Sequence, residues 1–231
     1  MGTVTILATV TQDPLSEGYT GAVFGYGADW DALQGTKTSA TLKNNSSTIQ
    51  IESQYNSGLG RYELSRGFFT FTDLSDFKDA LDAGNNILTA RLSFYVTLKD
   101  VHTINNRGGI ALYQGTYSNA YFTGSDFREF STYFGKVDLI STSSNGWINI
   151  YFNQDGLDYL VTQANASASA KLCIRTYEDY YDLAPLSSLY PITQVTYIRG
   201  NTGTYVNYKP RLVITYDTTA IAFKPKVMVF N

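Results

Sequence analysis

Apolar and polar residues alternate along much of this chain. From Thr3 to Thr11, Val4, Ile6, Ala8 and Val10 are set against threonines and Leu7. A period of two places every second side chain on one face and predicts a half-buried strand. Thr48-Ile49-Gln50-Ile51-Glu52 repeats the pattern, and Leu88 to Leu98 puts Leu92, Phe94, Val96 and Leu98 on one face. Phe68 to Phe71, Gly109 to Tyr113, Gly146 to Phe152, Ala170 to Arg175, Gln194 to Ile198 and Arg211 to Tyr216 complete the predicted strands. Clusters of turn-forming residues divide them, at Lys43 to Ser47, Asn105 to Gly109 and Ser141 to Gly146.

Helical spacing occurs in three short stretches. Ser75 to Ala83 carries Phe77, Ala80 and Leu81, with Ser75 as the expected cap. Ser125 to Phe130 opens on a serine with Glu129 following, and Asp155 to Ala164 aligns Leu157, Leu160, Val161 and Ala164. Many short strands with few helical turns predict an all-β fold, a jelly-roll-like β-sandwich whose helical turns cap its ends. Residues 1–216 read as one domain. Residues 217–231 read as a C-terminal extension whose Phe223, Pro225, Val227, Met228, Val229 and Phe230 suit an assembly strand.

Composition narrows the function. Charged residues make up 16% of the 231, below the roughly 25% usual for soluble domains. The formal net charge is -3, and no basic stripe is present to neutralise phosphates, so nucleic acid is not an expected partner. No run approaches the roughly 20 apolar residues of a membrane span, so membrane insertion is not expected. The start, Met1 to Leu7, lacks the pattern of a secretory leader.

The residues available for chemistry are few. There is one histidine, His102, beside a predicted loop, and one cysteine, Cys173, in the apolar run Lys171 to Ile174. A buried core thiol and an exposed loop histidine are the simplest readings. One His and one Cys cannot supply a zinc site, and no Gly-x-Ser-x-Gly elbow is present. Glu178 and Asp179 with Asp182, and the pair Asp29 and Asp31, are the carboxylate groupings. Glu178, Asp179 and Asp182 are candidate calcium ligands, because hard cations take several oxygens. No other cofactor and no catalytic residue is expected.

Tyrosine is abundant, at 19 residues, with 13 phenylalanines. Tyr177, Tyr180 and Tyr181 flank the acidic cluster and are the candidate ligand-binding residues, since exposed rings stack on sugars or anchor interfaces. The Tyr113 to Phe122 stretch has the composition of an adaptable surface loop. Trp147, Phe68, Phe69 and Phe94 are assigned to the core.

Several segments, in order, resemble the DNRLRE-type β-sandwich domains. Arg66-Gly67-Phe68-Phe69-Thr70-Phe71-Thr72 is similar to their Arg-x-Phe-x-x-Phe-Asp strand, departing at Thr72. Ile87 to Val96, Ile110 to Thr116, and Gly146-Trp147-Ile148-Asn149-Ile150 with Gly156-Leu157 resemble further segments. Leu172-Cys173-Ile174-Arg175 followed by Asp179 and Pro185 is similar to the segment L-x-L-R-x-x-x-D, and Pro210 to Tyr216 to the closing strand. The resemblance covers Thr3 to Tyr216. It implies a jelly-roll fold related to carbohydrate-binding modules and a mostly non-catalytic role, in polysaccharide-degrading proteins, cell surfaces or phage particles.

The first expectation is a non-enzymatic structural protein of a virion, a decoration, fibre or tail-appendage subunit. Its partners would be other virion proteins or copies of itself, with a host-surface glycan as candidate ligand. The alternative is a carbohydrate-binding module of a secreted or cell-surface protein. A glycan lyase or hydrolase built on paired carboxylates is the weaker third.

Overall fold

The computed structural model describes residues 1–7, 20–35, 41–43, 48–101, 108–117, 127–139, 145–185, 194–199 and 207–218. The described chain is an all-β sandwich of two antiparallel sheets with few short helices. The first sheet contains β1 (Gly2–Leu7), β12 (Arg211–Asp217), β6 (Asn86–Val101) and β9 (Gly146–Tyr151), in that order. The second runs β3 (Thr41–Lys43), β2 (Thr20–Gly27), β5 (Arg61–Phe71), β10 (Ala170–Thr176), β7 (Gly109–Gly115) and β8 (Phe130–Asp138).

Two long strands join the layers. On one edge, β6 pairs with β12 along 86–93 and with β11 (Gln194–Arg199) along 96–101. Strand β5 pairs with β4 (Thr48–Asn56) along 61–65 and with β10 along 67–71. Strands β11 and β4 pair with each other, so hydrogen bonding passes from sheet to sheet without a break. Strands that change sheets in this way make the corners of a sandwich.

Alternation puts the main core between the layers. Val4 and Ile6 of β1, Leu212 and Ile214 of β12, Ala90, Leu92 and Phe94 of β6, and Ile148 and Ile150 of β9 face inward. They meet Phe69 and Phe71 of β5, Leu172 and Ile174 of β10, and Ile110 and Leu112 of β7. Helix α2 (Ser75–Asp82) adds Phe77, and α3 (Gln154–Asn165) adds Leu160 and Ala164. A second, smaller core lies on the outer face of the second sheet. There Val23, Leu64, Phe68, Ala111, Tyr113 and Cys173 are covered by Trp30 and Leu33 of α1 (Trp30–Gly35) and by Tyr117 and Phe127. Both faces of β5 and β10 are therefore buried, which is why their sequences read as apolar runs.

All nine predicted strands are present in their described parts, and several are longer than expected. Strand β5 begins at Arg61, seven residues before the predicted Phe68. Three further strands, β2, β3 and β8, were not predicted. Helix α3 is capped by Asn153, whose Oδ1 accepts from Gly156 N at 3.0 Å. At α2 the expected Ser75 cap is replaced: Asp73 Oδ1 accepts from Ser75 N at 2.9 Å and from Ser75 Oγ at 2.6 Å. Of the third predicted helical turn, Phe127 and Arg128 form a short helical turn and Phe130 opens β8. Phe68, Phe69 and Phe94 are fully buried as expected. Strand β12 runs through Asp217, one residue beyond the predicted domain edge, and residues 219–231 lie outside the described residues.

Strands β8 and β9 approach where the layers close. Asn153 N donates to Phe134 O at 2.6 Å, and a Cβ placed on Gly135 would sit 2.1 Å from Tyr151 O. Backbone cannot yield as a side chain can, so Gly135→Ala should force the junction apart. We expect a loss of about 3 kcal/mol in urea unfolding, at the upper end of overpacking costs. An unchanged midpoint would show that this contact does not hold the layers.

Candidate functional site

The largest fully buried polar side chain is Arg66, 1% exposed, at the point where β5 changes partner from β4 to β10. Its fork closes on Asp179: Nε donates to Oδ2 at 2.7 Å and Nη2 to Oδ1 at 2.7 Å. Nη1 donates to Phe127 O at 2.7 Å, and the guanidinium lies over the rings of Phe127 and Phe130 at 4.2 and 4.9 Å. A second fork reaches the same carboxylate. Arg175 Nε donates to Oδ2 at 2.9 Å, and Nη2 to Oδ1 at 2.9 Å and to Asp179 O.

The helix α4 (Tyr177–Tyr181) delivers Asp179 to this position. Thr176 Oγ1 caps it, accepting from Asp179 N at 3.4 Å. Gln34 Nε2 also donates to Asp179 O and Oδ1, at 3.2 and 3.3 Å. Burial alone would raise the Asp179 carboxyl; the charges and bonds of Arg66 and Arg175 outweigh it and hold the group well below the usual carboxylate range. Cys173 lies beside the network, fully buried, and desolvation pushes its thiol up to about 12. It is a core thiol, as its sequence setting suggested.

The sequence offered Glu178, Asp179 and Asp182 as a calcium group, but the structure separates them. Asp179 faces two guanidinium groups, and Glu178 Oε2 accepts from Ser53 Oγ at 2.7 Å in the interior. Asp182 is exposed and ends α4 in the left-handed conformation, with φ of 54°. Among the described residues no group of three or more His, Cys, Asp or Glu side chains is placed to hold a metal. Asp29 Oδ1 accepts from Ala32 N at 2.7 Å in the first turn of α1, and Asp31 follows in that turn. His102 lies outside the described residues.

The tyrosines of α4 form a cluster rather than a loop. Tyr177 and Tyr180 each pack on Tyr181 at 4.4 Å, and Tyr180 stacks on Tyr133 at 5.4 Å. Lys136 Nζ donates to Tyr181 Oη at 2.7 Å. Tyr181 is exposed, while Tyr177 and Tyr180 are half-buried. The cleft beside them, about 70 Å³, is lined mainly by these rings, Lys136 and other residues of β7 and β8. These rings spend most of their surface on one another and on the cover of the ion-pair network. Tyr113, from the predicted surface stretch, is buried beneath them, and desolvation pushes its hydroxyl up to about 12. Residues 118–126 lie outside the described residues.

A different face gathers exposed aromatics. In β9, Ile148 and Ile150 point inward, so Trp147, Asn149 and Tyr151 point out. Trp147 is 38% exposed and Tyr151 54%, which corrects the assignment of Trp147 to the core. The register aligns outward residues in rows across the first sheet. Leu7, Arg211, Ser93 and Asn149 form one row, and Thr5, Val213, Arg91 and Tyr151 the next. Tyr95 lies opposite Trp147, with Tyr208 packed on Tyr95 at 4.5 Å. The Arg211 guanidinium covers one side of the indole, 3.7 Å from the ring centre. Thr3, Thr5, Arg91, Ser93, Trp147, Asn149, Arg211 and Val213 line a cleft of about 310 Å³. Ser93 Oγ donates to Asn149 Oδ1 at 2.5 Å.

Sequence reasoning passed over this face. The available signal was the strict alternation in Trp147-Ile148-Asn149-Ile150-Tyr151, which assigns Trp147 and Asn149 to the same side. A third cleft, about 460 Å³, lies between β7, α3 and the start of β10, lined in part by Gln114, Thr116, Gln163, Ser169 and Lys171. No family model and no curated protein matches the chain.

Asp179→Asn should leave two buried guanidinium groups with an uncharged partner. Breaking a buried ion pair by removing one partner costs about 3–5 kcal/mol, read as a lower urea midpoint. The pH dependence has a definite sign. A depressed folded pKa means the native state binds fewer protons than the unfolded chain, so this stability is present above about pH 4 and lost as pH falls below it. The wild type should lose stability steeply below about pH 4, and Asp179→Asn should lose less over the same range. Parallel curves would mean that the network does not control acid stability.

Proposed function

We propose that this domain is a non-catalytic module that binds glycan chains on the outer face of the β1-β12-β6-β9 sheet. The observation that carries this reading is exposed Trp147 in a cleft lined also by Thr3, Thr5, Ser93 and Asn149, with exposed Tyr151 beside Arg91 and exposed Tyr208 packed on Tyr95 on the same side. Rings stack on the apolar faces of sugar rings, and hydroxyl and amide groups pair with sugar hydroxyls. A cleft of a few hundred Å³ with a few convergent polar groups is the usual form of a ligand site. The face rests on paired strands, whose packed inner side holds its geometry rigid. The scarcity of histidine and cysteine supports a binding role over a catalytic one.

The proposal serves either setting expected from the sequence, a virion surface or a secreted or cell-surface protein. The assembly role read for residues 217–231 concerns a segment described only as far as residue 218. The glycan reading draws instead on the sheet face.

Glycan-array binding with three variants tests the reading. Trp147→Ala and Tyr151→Ala should reduce binding at least about tenfold, since loss of an exposed stacking ring costs on the order of 1.4 kcal/mol or more. Unfolding midpoints should change little, because both side chains lie outside the core. Tyr181→Ala should leave binding intact. Loss of binding in Tyr181→Ala with none in Trp147→Ala would move the site to α4, and silence across the array would remove the proposal.

A further inference from the structure

Arg91 and Arg211 stand diagonally on adjacent strands in the same cleft, since Arg211 pairs with Ser93 and Val213 with Arg91. Among the described residues neither forms an ion pair. The Arg91 side chain makes no hydrogen bond there and lies 6.0 Å from the Tyr151 ring centre, and the Arg211 side chain makes one, from Nη2 to Asn207 O at 3.2 Å. Both Nε atoms are buried without a partner. Burial, and then the charge of Arg91, lowers the pKa of Arg211: the two cations repel in a partly desolvated place. Two partly buried guanidinium groups set diagonally on neighbouring strands make a favourable place for an anion.

The same chain shows what such a pair holds when it is complete. Arg66 and Arg175 lie on adjacent strands and share one carboxylate through two forks. The Arg91–Arg211 pair has the same two cations on neighbouring strands, but on an open face and, among the described residues, without a carboxylate bonded to them. The domain as a whole is acidic, so this local positive site does not follow from bulk composition. We infer that the cleft selects an acidic glycan, one whose sugar rings carry a carboxylate or sulfate group that sits between Arg91 and Arg211. The inference rests on the glycan reading above and specifies the ligand class for that face. Trp147, already held by Arg211, places the stacking surface next to the anion site. Ser93 and Asn149 lie in the same row as Arg211, where they reach hydroxyls on the same ring.

Affinity electrophoresis with matched polymers tests this. Hydroxyethyl cellulose against carboxymethyl cellulose varies the carboxylate, and dextran against dextran sulfate varies the sulfate. Poly-glutamate supplies carboxylates without sugar. The acidic member of at least one pair should bind about tenfold or more tighter than its neutral partner, as charge-assisted hydrogen bonds predict. Which pair responds distinguishes carboxylate from sulfate. Arg91→Gln should remove that preference, so that the ratio of acidic to neutral affinity falls to about one. Because the Arg91 side chain makes no hydrogen bond within the described fold, this variant should keep the wild-type unfolding midpoint. Arg91→Lys should recover only part of the preference, since lysine keeps the charge and loses the fork.

Equal binding of neutral and acidic polymers, or an unchanged preference in Arg91→Gln, overturns the acidic selectivity and leaves the glycan reading standing. Poly-glutamate binding as tight as carboxymethyl cellulose shows that the anion need not be carried by a sugar, and overturns the assignment. If no polymer binds at all, and Trp147→Ala behaves as wild type on every support, the glycan reading itself fails.

Discussion

One carboxylate holds two arginines inside this sandwich, and the local architecture is arranged around that fact. Two cationic forks and one anion in a dry place are tolerable only if each bond is made. Asp179 satisfies this by accepting from Arg66 on β5 and Arg175 on β10, while Phe127 O takes the remaining Arg66 group. The cost of misplacing any partner is several kcal/mol. Helix α4 must therefore sit where it does, and Gln34 of α1 joins the same group. The network ties α4, α1 and the segment at Phe127 to the outer face of the second sheet. That cover forms the second core and occupies the tyrosines of α4.

The first sheet is arranged differently. Its inner side packs into the main core, but its outer side carries no helix from the described chain. Alternation then leaves Trp147, Asn149 and Tyr151 outward, with Arg91, Ser93 and Arg211 beside them. The two sheets thus have unlike outer faces. One is closed by ionic and aromatic packing, and the other presents rings, hydroxyls, amides and paired cations to solvent. A surface of that kind on a rigid sheet is suited to an extended chain of sugars.

Much of the fold was legible because alternation survives in the sequence wherever one strand face is wet. Strands β4, β6, β9 and β12 fall in this class. Strand β2 was missed because glycines interrupt its pattern: a Cβ on Gly25 would meet Leu33 at 2.8 Å, so the contact with α1 demands the residue that removes the signal. Strand β8 was missed for a like reason at Gly135, where the backbone of β9 approaches. The site was less legible. Asp179 was visible as an acidic residue, but its partner Arg66 is 113 residues away in sequence, and only the fold brings them together. Trp147 was assigned to the core by residue type, although its neighbours Ile148 and Ile150 already claimed the inner side.

On the proposed reading the face of the first sheet, and not the tyrosine cluster of α4, receives the ligand. Backbone amide shifts during titration with a binding oligosaccharide locate the contact directly. Binding on the first sheet should concentrate the perturbations at Thr3, Thr5, Arg91, Ser93, Trp147, Asn149 and Arg211. Perturbations concentrated at Lys136, Tyr177, Tyr180 and Tyr181, with the first sheet unmoved, would contradict it.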